Sequence, residues 1–214
     1  TAEFLQTIGF EATFVPPDSQ GRINPSQIAA AITDRTSLVS VMHANNEVGA
    51  IQPIREIADI AHARGALFHT DAVQAAGKLT IDLSPKGPLK DVDLLTISGH
   101  KIHAPKGVGV LFVRRSVRLA PMMHGGMHER QRRAGTENVA GIVGLGKAVE
   151  LAQQWLVTDG SAKIAALRDR LEQGILTRVE EAGVNGASAP RVANTANLYF
   201  ERGEAEALVI ALEL

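Results

Sequence analysis

The sequence predicts an α/β fold, a mostly parallel sheet covered by helices. Three observations carry this reading. Short runs rich in Val, Ile and Leu alternate with longer stretches whose apolar residues recur at helical spacing. Such alternation needs right-handed crossovers, which lay successive strands side by side in parallel. Three of the strand-like runs end in polar turns, at the carboxyl ends where open α/β sheets bind ligands. After Pro121 the texture changes to a glycine-rich, basic loop and then to two helical patterns.

Taken in order, Thr1 to Pro17 reads as the tail of a helix stopped by Gly9, then a strand over Ala12–Val15 closed by Pro16-Pro17. Asn24-Pro25 starts a helix with Ile28 and Ile32 on one face. A strand over Ser37–Met42 runs into the turn His43-Ala44-Asn45-Asn46-Glu47-Val48-Gly49. Pro53 opens a helix with an apolar stripe of Ile54, Ile57, Ala58 and Ala61, stopped by Gly65. Strands follow over Ala66–Thr70, running into Asp71, over Leu94–Ile97, and over Val108–Val113. A long loop spans Pro121 to Asn138, a length that favours a functional or interface segment. Two helices are predicted next, one from near Asn138 and one from near Ser161 to Gly183. A strand over Arg191–Glu201 and a helix from Glu204 to Leu214 complete the chain.

The 214 residues suffice for a sizeable core, and the formal net charge of -1 provides no long-range field toward nucleic acid or an anionic membrane. No apolar run approaches the roughly 20 residues that span a bilayer. A cytoplasmic protein is expected, with no direct nucleic-acid or membrane partner. The chain has no cysteine, so it contains neither disulfides nor thiolate metal sites.

The chemistry concentrates at Ser98-Gly99-His100-Lys101, between two strands. A lysine at a strand tip attacks carbonyls as a Schiff-base nucleophile once its amine, with a reference pKa of about 10.4, loses its proton. Ser98, Gly99 and His100 offer a hydroxyl, a close backbone approach and an imidazole, which suit a phosphate beside that amine. The combination suggests pyridoxal phosphate, against the plainer reading of a solvated turn. Asp71 reads as a helix N-cap for Ala72–Gly77, or as the carboxylate that keeps a pyridine nitrogen protonated. Gln74 and Asn46 would donate to the ring's phenolic oxygen, or else satisfy their own turns. Thr136 is a phosphate donor or a helix cap, and His43, at its strand end, joins Lys101 as a candidate catalytic residue. His100, His103, His124 and His128 lack companion carboxylates at a ligand spacing, so no metal is expected. The Arg130, Arg132, Arg133 cluster reads as a solvated or interface loop.

Three segments, His43 to Gly49, Ser98 to Gly109 and Arg133-Ala134-Gly135-Thr136-Glu137-Asn138, together resemble cysteine desulfurases of the nitrogen-fixation and iron-sulfur-assembly branch. These belong to the class V aminotransferase group of fold-type I pyridoxal-phosphate enzymes. The resemblance implies that Lys101 carries the cofactor Schiff base and that Asp71 pairs with the pyridine nitrogen. It also implies that Asn46 and Gln74 contact the phenolic oxygen, and that Ser98 and His100 hold the phosphate. Thr136 would reach the phosphate in a neighbouring subunit, because the family forms homodimers with shared sites. L-cysteine would be converted to L-alanine, its sulfur passing through an enzyme persulfide to an acceptor or cluster-scaffold protein.

The resemblance further implies an internal piece of a longer family member. Residues 1–137 would form the large cofactor domain without its first part, 138–160 a connecting helix, and 161–214 the start of the small domain. The nucleophilic cysteine and the arginine that grips the substrate carboxylate would lie outside the chain, leaving it inactive alone. Competing readings are another class V enzyme, such as a selenocysteine lyase or a small-molecule aminotransferase, and a catalytically silent module that docks partners.

Overall fold

A computed structural model describes residues 1–213. The main sheet has four strands in the spatial order β1 (Leu38–Met42), β2 (Leu67–Asp71), β3 (Leu94–Ser98) and β4 (Gly109–Val113). The first three run parallel, with Met42 opposite Asp71 and Asp71 opposite Thr96. β4 returns antiparallel to β3, because only a short turn joins them and a parallel return needs a crossover.

Burial alternates along β1 and β2, as a half-covered sheet demands. Val39, Val41, Phe68, Thr70 and Leu95 point to the core, where α2 (Pro25–Ala31) and α3 (Ile54–Ala63) supply Ile28, Ile54, Ile57, Ala58 and Ala61. Asn24 caps α2, its Oδ1 accepting the Ser26 N–H, with Pro25 at the first helical position. The chain leaves α3 through Gly65 in a left-handed conformation, φ 75°. Asp93, buried between β2 and β3, accepts the Phe68 N–H at 2.8 Å and His62 Nε2–H at 2.7 Å, clamping α3 to the strands. The other face carries Ser40, His69 and Thr96 in a row, with His69 Nδ1 2.8 Å from Ser40 Oγ.

α4 (Val139–Val157) packs across the end of the sheet, its Leu145 and Ala148 against Ala76, Ile102 and Ala104. α5 (Gly160–Leu176) follows, then a small antiparallel pair, β5 (Ala182–Val184) with β6 (Leu198–Phe200), and α6 (Ala205–Leu212). The segment 190–192 docks on the main body, with Ile51 N–H donating to Pro190 O and Val192 N–H to Gly49 O.

Several expected elements differ. Ala12–Val15 is irregular, not a strand; the two prolines that follow have no N–H for a ladder, and no neighbouring strand pairs with it. Ala72–Gly77 forms hydrogen-bonded turns instead of a helix, ended by Gly77 at φ 70°. The second long helix stops at Leu176, where Thr177 Oγ1–H donates back to Gln173 O, and Gly183 sits within β5. The strand expected over Arg191–Glu201 contracts to Leu198–Phe200, while Arg191 bridges separately to Ala50. The expected helix end at Leu214 lies outside the described residues.

A candidate active site at the strand ends

The parallel strands β1, β2 and β3 end on the same edge, so the turns after Met42, Asp71 and Ser98 gather there. Lys101 sits on a short 3-10 turn, Gly99–Ile102, and is exposed between two buried anchors. Gly99 N–H donates to Val108 O at 3.0 Å, and a Cβ on Gly99 would stand 2.8 Å from that same oxygen. Only glycine permits this approach. Ile102 is buried against α4 and against Gly77, where a Cβ would come within 3.0 Å of Ile102 Cγ2. The lysine therefore projects from a turn whose backbone is pinned on both sides.

Ser98 Oγ and His100 Nδ1 lie 2.8 Å apart, a paired hydroxyl and imidazole just before Lys101. Asp71 Oδ1 accepts the Val73 N–H at 2.9 Å, and no other hydrogen bond to its carboxylate occurs among the described residues. Its charge favours protonation of neighbouring His69, against burial, which wins and lowers the His69 pKa. In the 43–49 turn the local work falls to Asn45. Its Oδ1 accepts the N–H groups of Glu47 and Val48, both at 2.9 Å. Asn46 is exposed and makes no side-chain hydrogen bond, so the turn does not account for its amide. Gln74 accepts from Lys78 Nζ at 2.8 Å through Oε1, leaving its NH2 free.

Two candidates stand elsewhere. The His43 backbone closes the ladder beside Asp71, its N–H donating to Asp71 O at 2.8 Å. Its imidazole, however, continues the buried side of β1 after Val39 and Val41, by the two-residue period of a strand. His43 lines a separate open depression of about 450 Å³ with Gln52, Pro53, Ile54, Asp59 and Leu89. Burial lowers its pKa to about 4, so the ring is neutral at pH 7. It makes no hydrogen bond to Lys101, Asp71 or Gln74. Thr136 is exposed in the loop ahead of α4 and is hydrogen-bonded to none of the others. No group of three or more His, Cys, Asp or Glu suited to a metal occurs among the described residues.

Lys78 is the residue that sequence reasoning passed over. Burial lowers its pKa, and the charge of Lys101 acts in the same direction. The available signal was its place four residues after Gln74.

The donor set suits pyridoxal phosphate: an exposed amine for its aldehyde, a carboxylate for its ring nitrogen, the free amide NH2 groups of Asn46 and Gln74, and a hydroxyl–imidazole pair for its phosphate.

Comparison with known proteins identifies the family. The model of the family "Aminotransferase class-V" matches residues 1–213. A cysteine desulfurase of Gluconacetobacter diazotrophicus is 48% identical over 207 residues, 97% of this chain and 50% of the relative. A solved structure described as a NifS-like protein superposes with a TM-score of 0.89 at 35% identity, covering 99% of this chain and 56% of that one. Another, of SspA in complex with cysteine, gives a TM-score of 0.81 at 34% identity, covering 99% and 57%. The chain thus spans about half the length of the curated relatives it matches, and the expected fold-type I architecture is the one these neighbours share. With its lysine turn, its strand-end carboxylate and a family match over residues 1–213, the chain belongs to the class V aminotransferases.

Proposed function

We propose that this chain carries the cofactor-binding part of a cysteine desulfurase, which takes L-cysteine to L-alanine and passes the sulfur to a thiol. The observation that carries the reading is the exposed Lys101 on a pinned turn, on the same sheet edge as a strand-end carboxylate and two amides with free NH2 groups. The similarity to cysteine desulfurases supports it, as does the cysteine complex of a structural neighbour.

Bound pyridoxal phosphate supplies an electron sink that stabilises negative charge on a substrate carbon. Lys101 would anchor the cofactor through Nζ and, as a free amine, would move protons as a general base and acid. Asp71 would hold a proton on the ring nitrogen. Asn46 and Gln74 would orient the ring by donating to its phenolic oxygen, while Ser98 and His100 would bind the phosphate. The carbon–sulfur bond breaks as a thiol from outside this chain takes the sulfur, and L-alanine leaves. Residues 1–137 serve as the cofactor domain, 138–160 as a connector and 161–214 as the start of the small domain. A homodimer, with Thr136 reaching the partner's phosphate, and delivery to a sulfur-acceptor or cluster-scaffold protein in the cytoplasm complete the reading; reduced thiols persist in that compartment. No helix among the described residues is long and apolar enough to cross a membrane.

The test is a visible absorption spectrum with added pyridoxal phosphate, before and after Lys101→Ala. A Schiff-base band that disappears in the variant and changes on addition of L-cysteine supports the assignment. An unchanged band in Lys101→Ala, or none in the unmutated protein, contradicts it.

A further inference from the structure

Lys78 Nζ stands 2.8 Å from Gln74 Oε1 and 3.0 Å from the Gln74 backbone oxygen. An ammonium has three donors and no acceptor, so the amide atom that faces it must be the oxygen. A glutamine alone turns its terminal amide over readily and can present either a donor or an acceptor. Here the oxygen is occupied and the NH2 faces away from Lys78.

The position of Lys78 is itself constrained. Gly77 has φ 70° and packs against Ile102 so closely that a Cβ would stand 3.0 Å from Ile102 Cγ2 and 3.3 Å from Ala152 Cβ. The chain is thereby fixed against the turn that carries Lys101, and Lys78 is half-buried there. Burial and the Lys101 charge both act against its ammonium, and Gln74 supplies the acceptors that hold it. The Lys78 cation held against this amide leaves the locality suited to an anionic oxygen.

We infer that Lys78 is a positioning residue, locking the Gln74 carboxamide with its NH2 presented to an anionic oxygen of bound pyridoxal phosphate. This rests on the cofactor reading above. Lys78 itself acts through Gln74, and no covalent step is involved.

The experiment uses Lys78→Met, which keeps an unbranched stem, and Lys78→Arg, each also in a Gln74→Met background. In the cofactor-free protein, the Gln74 side-chain amide resonances in a 15N–1H spectrum should move in Lys78→Met and return toward their original positions in Lys78→Arg. On titration with pyridoxal phosphate, Lys78→Met should weaken binding about tenfold, the order of one charge-assisted hydrogen bond. It should also shift the visible band, and Lys78→Arg should recover most of both. In the Gln74→Met background, Lys78→Met should change affinity less than about twofold, because its route of action is gone. Unmoved amide resonances, or an unchanged dissociation constant beside a normal visible band, overturn the inference. A full tenfold loss in the Gln74→Met background also overturns it, since Lys78 would then act by charge alone. Absence of any lysine-dependent band in the unmutated protein overturns the cofactor reading, and this inference with it; loss of the Lys78→Met effect alone leaves that reading standing.

Discussion

Arg191 grips Glu172 with both prongs of its guanidinium, Nη1 to Oε1 at 2.7 Å and Nη2 to Oε2 at 2.9 Å. Both side chains are nearly inaccessible, 7% and 10% exposed. Glu172 belongs to α5, while Arg191 bridges to Ala50 at the foot of the turn that holds Asn46. The pair therefore ties the second helical layer to one wall of the candidate site. The hydrogen bonds that Arg191 donates to Glu172 raise the Arg191 pKa, keeping the cation in place.

Removing one partner leaves the other charge buried and unpaired, which is costlier than losing the pair. Glu172→Gln and Arg191→Met should each lower stability by about 3 kcal/mol in urea unfolding. Glu172→Met with Arg191→Met should cost less than the two single losses combined, because neither charge then remains. Additive losses would show that the ion pair is not coupled.

His43 carries a pH dependence. Its folded pKa, about 4, lies below the ordinary value of 6.5 because burial disfavours the charged ring. Between these values the unfolded chain binds the proton and the folded chain does not, so stability rises with pH across this window. The contribution is fully present above about pH 6.5 and lost as pH falls to 4 and below. Its size is about 3 kcal/mol. Chemical unfolding at a series of pH values should show the decline, and His43→Gln should flatten it; a variant with the same slope assigns the effect to other groups.

The Lys101 turn depends on its anchors. Ile102→Ala removes a buried side chain from between α4 and the turn, and should cost about 2–4 kcal/mol. Affinity for pyridoxal phosphate should fall with it, because the turn that carries Lys101 loses its anchor. Gly77→Ala should act in the same direction, because its φ of 70° and the nearby Ile102 both oppose a side chain. Unchanged affinity in either variant would separate the lysine from its packing.

Strand periodicity and terminal signals made the central parallel strands legible, since Val39, Val41 and Phe68 must share one buried face. The ends of the strands were legible for the same reason, and with them Asp71, Asn46, Ser98 and Lys101. Ala12–Val15 has strand composition but no partner, and pairing is a tertiary fact that composition does not contain. The helix running on to Gly183 was drawn from continued apolar spacing, whereas β5 forms because β6 lies opposite, with Gly183 facing Tyr199. His43 was a candidate because it stands at a strand end. The strand period instead sends its ring to the core side. Lys78 was missed because its meaning depends on the fold of the 72–77 turns, which bring its ammonium to Gln74.

The most direct measurement of the central claim is reduction of the pyridoxal-phosphate-loaded protein with borohydride, followed by peptide mapping by mass spectrometry. Reduction turns the Schiff base into a stable secondary amine at the lysine that formed it. The account predicts the phosphopyridoxyl group on Lys101, with Lys78 and Lys106 unlabelled. Label on Lys78, or spread over surface lysines without preference, would contradict it.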